Sequence, residues 1–488
     1  MTVNAIEYPT VRWARELPDH PAVIVDHSPV SYRNLEELIA SSAGLLRERE
    51  VVPGDRVIVC GSNSLEWVVV AHALARLGAV HVPISSRILK THTDEYQRIY
   101  SPRLIISDQA SSNLWDHAIL IAEFMTRDAE PPRSQTPSEI DPESLHSIVQ
   151  TSGSEGQPKG VCLSFRNHLS NALGSALNLG VRPDDRWLLN LPLDRIGGIA
   201  TMIRAAIYGI TVVVHDHFNA SEVWRSLDED RVTQLSFVAT TLRRVLDAAP
   251  GRRCPTHVRS VMVGGGPVPT YLIDEARGRG FPILPTYGLT ETSSQIATLS
   301  PVASESKQHS AGFPLALAEL EIRDDSGATV AAGTEGRIHV RGPMVSEGYW
   351  GKDGRVVNIL DHDGWFATND IGSFDHEGYL LVHGRADNVI ISGGEKIHAE
   401  EIENALTQHP SVARAVVVGI DDDEWGQSPV GFVELAPDRH ADRNQLLDYL
   451  AERLPRYKLP RRIEILEKIP TLPSGKPDRQ SIIVRQRT

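Results

Sequence analysis

The sequence predicts an α/β protein with a largely parallel sheet, then a β-rich stretch and a smaller α+β unit. From residue 31 to about 300, strand-like and helical runs alternate, which is typical of a parallel sheet covered by helices. Between about 318 and 383, short strands are separated by turns such as DDSG and GTEG. We therefore expect an N-terminal domain of packed α/β sheets over 1–384, with its β-rich subdomain at about 318–383, and a small α+β C-terminal domain over 385–488.

The first long helix is expected after Ser31, whose hydroxyl can cap it, because apolar residues follow at helical spacing. A second helix is expected near 64–78. The expected strands of the large region are 57–60, 104–107, 147–151, 187–191, 211–215, 234–238, 260–263 and 283–286. The β-rich subdomain is expected to contain strands 320–323 and 337–341, and the last unit helices 399–408 and 443–454 with strands 413–419 and 462–466.

Length and charge exclude several classes of protein. A chain of 488 residues is too long for a single core, so more than one domain is expected. The net charge of -14 argues against nucleic acid or an anionic membrane as the main partner. The most apolar run, 67–84, is interrupted by His72, Arg76 and His81, which favours a buried helix and strand over a membrane span. Three cysteines without CxxC spacing and no apolar leader favour a reduced, cytoplasmic protein.

The stretch TSGSEGQPKGV (151–161) has the composition of a phosphate-binding loop. Glycines such as Gly153 let backbone N–H groups approach an anion, and the hydroxyls of Thr151, Ser152 and Ser154 add donors. Lys159 supplies a mobile positive charge. The loop fits neither the GxxxxGK[ST] nor the GxSxG pattern. Taken alone, a solvated Gly/Ser turn is the alternative explanation, although a less favoured one.

Four later stretches add groups that suit a nucleotide. TYGLTET (286–292) offers Tyr287 for stacking on a base and Glu291 for Mg²⁺. GWFATND (364–370) offers Asp370 as an acceptor for ribose hydroxyls. Arg385 opens the last unit, and LPSGKPDR (472–479) places Lys476 in a turn. Each residue alone is typical of a solvated turn.

In this order and spacing, the five stretches resemble the acyl-adenylate-forming superfamily of acyl-CoA synthetases, adenylation domains and luciferases, from near residue 20 to 480. The resemblance implies a large N-terminal domain, a small mobile C-terminal domain and two reaction steps. A carboxylate attacks the α-phosphate of ATP to give acyl-AMP and pyrophosphate, and a thiol such as that of CoA then takes the acyl group. The segments around LNLPLDRIGGIA (189–200) and GGGPVP (264–269) look most like o-succinylbenzoate:CoA ligases of menaquinone biosynthesis.

The resemblance also implies residue roles, with Mg²⁺ as cofactor and ATP and CoA as co-substrates. Lys476 and Glu291 would be catalytic, the latter through the metal. The hinge would be Asp387, and Gly393 and Gly394 would line the CoA path, although they also fit a hairpin turn. The implied nucleotide-binding residues are Thr151, Ser152, Gly153, Ser154, Lys159, Thr286, Tyr287, Gly288, Thr290, Asp370 and Arg385.

The acyl side departs from the o-succinylbenzoate ligases, because Asp194-Arg195 stands where they have Phe-His. Arg195 can pair with a substrate carboxylate or form a salt bridge with Asp194 or Asp185. Arg204 can reach a second carboxylate or be a surface arginine. The floor of the acyl pocket is assigned to Gly265 and Gly266.

Other departures leave alternatives open. Glu155 replaces the usual hydroxyl, and Asn369 a usual glycine, while Arg337 replaces a glutamate. An enzyme that loads a carrier protein is one alternative, and a nucleotide-binding pseudoenzyme is another. The sequence HDH (215–217) suggests a metal site, but a structural turn explains it better because no third ligand is evident. The expected partners are a small carboxylic acid, ATP and CoA, without nucleic acid or a membrane span, and a homodimer is left open.

Overall fold

The structure is a computed structural model that describes residues 5–125, 137–151, 159–422, 424–472 and 477–487. Its helices are α1 (Pro9–Glu16), α2 (Tyr32–Glu48), α3 (Leu65–Arg76), α4 (Thr93–Tyr100), α5 (Phe165–Leu179), α6 (Ile196–Tyr208), α7 (Ala220–Asp228), α8 (Ala239–Ala248), α9 (Thr270–Gly278), α10 (Ala399–Thr407), α11 (Arg443–Ala451) and α12 (Arg479–Arg487).

Strands run through the whole described chain. In chain order they are β1 (Ile6–Glu7), β2 (Pro21–Val25), β3 (Ser28–Ser31), β4 (Arg56–Gly61), β5 (Val80–Ser85), β6 (Leu104–Ser107), β7 (Ile119–Leu120), β8 (Glu139–Ile140), β9 (Leu145–Thr151), β10 (Lys159–Ser164), β11 (Arg186–Leu189), β12 (Thr211–Val214), β13 (Gln234–Phe237), β14 (Ser260–Val263), β15 (Ile283–Leu289), β16 (Ser294–Thr298), β17 (Phe313–Pro314), β18 (Glu319–Arg323), β19 (Gly336–Arg341), β20 (Gly348–Trp350), β21 (Val356–Asn358), β22 (Phe366–Phe374), β23 (Leu380–Arg385), β24 (Val389–Ser392), β25 (Glu395–His398), β26 (Val412–Asp422), β27 (Gly426–Leu435) and β28 (Arg462–Leu466).

Two large mixed sheets form the N-terminal part. The first has the order β21-β20-β10-β9-β5-β4-β6-β7, with β9 to β7 parallel and the β9–β10 pair antiparallel. The second has the order β17-β16-β15-β14-β13-β11-β12-β2-β3 and is parallel from β15 to β2. In the second sheet the chain leaves β11 toward β12 on one side and returns as β13 on the other. Ligands in α/β sheets bind at the carboxyl ends of strands at such a reversal.

Two smaller sheets follow. Strands β18-β19-β22-β23 form an antiparallel sheet, which corresponds to the predicted β-rich subdomain. The last sheet has the order β25-β24-β27-β26, with β28 parallel to β27, and packs against α10 and α11 around Ile402, Leu406 and Leu446. The predicted fold class, a large α/β part with a β-rich stretch and a smaller α+β unit, is confirmed. The domain boundary near residue 384 stays a prediction.

Local signals explain several element boundaries. The Ser31 hydroxyl accepts a hydrogen bond from the Asn34 backbone N–H at 3.2 Å and caps α2, as predicted. Strands β6, β14 and β28 have the predicted bounds, and the other predicted elements differ by a few residues at their ends. His72 and Arg76 of α3 are buried in the core. Within the described ranges, no helix combines the length and apolar character needed to cross a bilayer.

Candidate active site

Tyr287, Asp370 and Arg385 meet although they lie far apart in the sequence. Asp370 and Arg385 are paired across β22 and β23, and Tyr287 extends from β15 toward them. The Tyr287 hydroxyl donates to Asp370 Oδ2 at 2.7 Å, and Arg385 Nη1 lies 3.7 Å from Asp370 Oδ1. Burial and the Asp370 charge raise the pKa of Tyr287 well above its usual value, so the phenol stays a donor. The carboxylate of Asp370 is thus held in a fixed orientation.

Glu291 is brought to the β9–β10 hairpin by Tyr349, a residue that the sequence analysis missed. The Tyr349 hydroxyl donates to Glu291 Oε1 at 2.7 Å, and Lys159 Nζ lies 5.4 Å from the Tyr349 ring centroid. Thr151 and Lys159 face each other across the hairpin. Burial and the charge of Glu291 raise the pKa of Tyr349. Tyr349 precedes a tryptophan in the short strand β20, and no local sequence pattern marks it as part of a site.

Close backbone contacts shape the turn around Thr286 and Gly288. A side chain at Gly264 would meet the Thr286 carbonyl at 2.6 Å, and one at Gly288 would meet the Ser294 backbone. The Thr286 hydroxyl is already held by Thr298 at 2.8 Å. Thr290 lies in the short 3₁₀ turn that carries Glu291. The turn therefore has little freedom to rearrange.

The predicted floor of the acyl pocket lies at the carboxyl end of β14. Gly265 and Gly266 are exposed there, and no other group lies within 4 Å of a Cβ built on Gly266. Gly265 has a φ of 76°, which favours glycine. A surface with bare backbone is therefore available beside Thr286.

Arg195 lies at the start of α6, beyond the carboxyl end of β11. Its Nε lies 3.8 Å from Asp194 Oδ2, and its side chain is 37% exposed. Asp185, the other partner considered, accepts instead from Arg259 Nε at 2.6 Å. Of the two salt bridges predicted as alternatives for Arg195, the structure therefore has only the long contact with Asp194.

Arg204 is buried, with 2% of its surface exposed, so the surface alternative is wrong for this residue. One guanidinium N–H donates to Asn171 Oδ1, and the guanidinium carbon lies 5.6 Å from the Trp187 ring centroid. Among the described residues no carboxylate pairs with Arg204, and its Nε–H has no hydrogen-bond partner. Asn171 also donates to the Thr292 carbonyl at 3.0 Å. Arg204 is thus linked through Asn171 to the loop that contains Glu291.

The predicted hinge residue Asp387 lies in the 3₁₀ turn between β23 and β24, where Arg385 Nε contacts it at 3.3 Å. Gly393 and Gly394 form the turn of the β24–β25 hairpin with φ of 59° and 87°. The Gly393 N–H donates to the Trp425 carbonyl at 2.9 Å. The hairpin-turn alternative therefore describes their local structure, and a role along a CoA path stays a prediction.

Several predicted residues lie outside the described part of the chain, namely Ser152, Gly153, Ser154, Glu155 and Lys476. In the HDH sequence, His215 Nε2 lies 2.9 Å from the Ser226 hydroxyl, which fits a structural turn.

The described residues contain no group of three or more His, Cys, Asp or Glu side chains arranged around a metal position. Mg²⁺ commonly uses one or two carboxylates together with substrate phosphates and water. Glu291, with one oxygen oriented by Tyr349, fits such an ion.

Comparison with known proteins assigns the chain to a family. A model described as AMP-binding enzyme matches residues 10–350, and one described as AMP-binding enzyme C-terminal domain matches residues 401–476. The chain belongs to the AMP-binding enzyme family. It is 37% identical to a 2-succinylbenzoate–CoA ligase of Bacillus licheniformis over 94% of this chain and 95% of the relative.

Solved structures of o-succinylbenzoate CoA synthetase from Bacillus subtilis match the whole fold. The complex with its acyl-adenylate intermediate gives a TM-score of 0.91 at 33% identity over 98% of both chains. The complex with ATP and magnesium ion gives 0.90 at 33% identity over 98% of this chain and 99% of that one. The predictions of an acyl-adenylate-forming enzyme and of an acid–thiol ligase are confirmed. The roles of individual residues stay predictions.

Proposed function

We propose that the protein activates o-succinylbenzoate with ATP and transfers the acyl group to CoA. The whole-length similarity to 2-succinylbenzoate–CoA ligases supports this acid. The observation that carries the choice of acid is Arg204, which is buried without a carboxylate partner among the described residues. O-succinylbenzoate has two carboxylates, and only one becomes the acyl-adenylate. The other needs a cation, which Arg204 supplies.

The first step must bring an anion to a polyanion. Two unit charges about 4 Å apart repel by about 4 kcal/mol at an effective dielectric of 20. We assign the compensation in the first step to Lys476 and to Lys159 beside the phosphate loop. Magnesium, when bound, neutralises phosphate charge, and Glu291 would hold it.

The nucleoside is held by Tyr287, Asp370 and Arg385. Asp370 accepts from the ribose hydroxyls, while its hydrogen bond from Tyr287 fixes the direction of its lone pairs. Arg385 contacts both Asp370 and Asp387, so it connects the ribose site to the predicted hinge. In the second step the CoA thiol attacks the acyl carbonyl and AMP leaves.

Acid-dependent exchange of pyrophosphate into ATP tests the activity, followed by formation of the CoA thioester. We expect o-succinylbenzoate to exceed 3-benzoylpropionate, which lacks the aromatic carboxylate, by about a hundredfold in kcat/KM, because truncating one member of a buried charge pair costs about 2–5 kcal/mol. Similar rates for the two acids, or no exchange with either, would contradict the proposal.

Arg204→Met should remove the preference between the two acids and leave 3-benzoylpropionate almost unaffected. A buried unpaired charge is costly, so the melting temperature of this variant is not expected to fall. Arg195→Met is the matched control, since that side chain is partly exposed and already near Asp194. If the preference disappears in Arg195→Met and persists in Arg204→Met, Arg195 holds the second carboxylate instead.

A further inference from the structure

Glu335 and His398 form a contact between the β-rich sheet and the last sheet of the chain. Glu335 precedes β19, and His398 ends β25. His398 Nε2 lies 2.9 Å from Glu335 Oε2. Because a carboxylate only accepts, Nε2 is the donor. The His398 side chain is 8% exposed and that of Glu335 is 48% exposed, so the contact lies at the edge of the interface between the two sheets.

Neighbouring side chains stabilise the hydrogen bond between Glu335 and His398. His383 of β23 lies 3.8 Å from the other oxygen of Glu335 and is itself held by the Ser373 hydroxyl at 2.9 Å. Burial opposes ionisation of Glu335, but its bond with His398 and nearby positive charges lower its pKa overall. Glu335 is thus an anion directed at a histidine of the other unit.

A second contact joins β23, and the turn that follows it, to α10. Asn388 donates to Glu400 Oε1 at 2.7 Å, and the Glu400 carboxylate lies against Gly384 so closely that any side chain there would collide with it. Glu400 is buried in the first turn of α10. Glu335 and Gly384 precede Asp387, whereas His398 and Glu400 follow it, so a rotation about Asp387 would have to break the contacts between these two pairs.

We propose that Glu335 and His398 are positioning residues that hold the C-terminal unit in the arrangement used for adenylate formation. This rests on the proposed two-step function. The chain superposes over nearly its whole length on a relative that holds ATP and magnesium ion, so the pair is formed in the arrangement present when ATP is bound. Loss of the Glu335–His398 contact favours the other arrangement, in which the thiol reacts.

The test compares the two half-reactions in the full-length protein. Glu335→Ala and His398→Phe are each expected to slow pyrophosphate exchange about tenfold, the effect of losing one hydrogen bond to a charged group. Capture by CoA of supplied acyl-AMP should stay within about twofold of wild type. The double variant should resemble either single one, because the two residues act as a pair.

Asp325→Ala is the matched control. Asp325 is 99% exposed and contacts Lys396 at 3.7 Å across the same two sheets, but without burial. It should change neither half-reaction. Equal slowing of both half-reactions by Glu335→Ala, no slowing, or additive effects in the double variant would overturn the proposal.

The rate of trypsin cleavage after Arg385, measured in the absence of substrates, is a second test of the contact. Glu335→Ala should accelerate this cleavage several-fold, whereas Asp325→Ala should not. Unchanged cleavage in Glu335→Ala would also overturn the positioning role. Failure of the wild-type protein to exchange pyrophosphate with any acid would instead contradict the proposed function, and cleavage would still test the contact.

Discussion

The nucleotide side and the proposed acyl side of the candidate site differ in whether their charged side chains have partners of opposite charge within the protein. On the nucleotide side, Arg385 lies between Asp370 and Asp387, and Tyr287 donates to Asp370. On the acyl side, Arg204 is buried with no carboxylate partner within the described ranges. On the first side the charged groups pair with one another, whereas the charge of Arg204 is left for the proposed substrate carboxylate. If Arg204 binds the acid as proposed, the affinity for the acid is obtained at the expense of stability in the free protein.

The buried histidines near Arg204 carry no positive charge at pH 7. His168 of α5 is buried, and burial with the charges of His146 and Arg204 lowers its pKa well below its usual value. His146 stacks edge-on with His168 at 4.9 Å between ring centroids. These histidines stay neutral at pH 7, so Arg204 remains a single isolated cation.

The largest effect is expected from removing the cation that we assign to the reacting phosphate. Lys476→Ala should slow adenylate formation by about 10²–10³-fold, because the proposed role of Lys476 is to offset charge on the reacting phosphate. CoA capture of supplied acyl-AMP should be largely spared, because the proposed role of Lys476 is confined to the first step. Pyrophosphate exchange and single-turnover capture measure the two steps. The exposed Lys468→Ala is the control, and equal loss in both steps would contradict domain rotation.

A smaller effect is expected at Asp370, which already contacts Tyr287 and Arg385 in the free protein. Asp370→Asn keeps an acceptor for Tyr287 but removes the charge between Tyr287 and Arg385. We expect KM for ATP to rise about tenfold, the effect of weakening hydrogen bonds to a charged group. Both half-reactions should suffer, because AMP is held in each, and that separates this variant from Lys476→Ala. Asp363→Asn, on an exposed turn, is the control. An effect on capture alone would contradict the ribose-binding role.

The same comparison explains what the sequence predicted. Tyr287, Glu291 and Asp370 could be proposed because each belongs to a short local sequence pattern. In the structure Tyr287 and Asp370 lie within strands β15 and β22, and the Tyr287 hydroxyl donates to Asp370. Tyr349 was missed because its contact with Glu291 depends on pairing between β10 and β20, which no local pattern reveals.

The acyl side and the C-terminal sheet were less predictable for physical reasons. The burial of Arg204 depends on the packing of α5 against α6, and the sequence left a surface position open. Strand β27 was missed because Pro429 and Gly431 interrupt its apolar pattern. Pairing with β26 on one side and β28 on the other overrides that local signal.

The smallest effect concerns the neutral histidines behind Arg204. Burial lowers the pKa of His146 to about 4 from an ordinary 6.5, so the unfolded chain binds a proton that the folded chain rejects. This contribution to stability is complete above pH 6.5 and is lost as the pH falls toward 4, at about 1.4 kcal/mol per pH unit.

His146→Phe removes this proton uptake. Between pH 6.5 and 4 the slope of the unfolding free energy against pH should therefore be smaller by about 1.4 kcal/mol per pH unit, which corresponds to one proton. Because His146 Nδ1 is buried without a hydrogen-bond partner among the described residues, stability at pH 7.5 should change little. Urea unfolding at pH 7.5 and 5.5 measures both quantities, with the exposed His362→Gln as control. An unaltered slope would mean that His146 is protonated in the folded protein, and the acyl side would then hold a second buried cation beside Arg204.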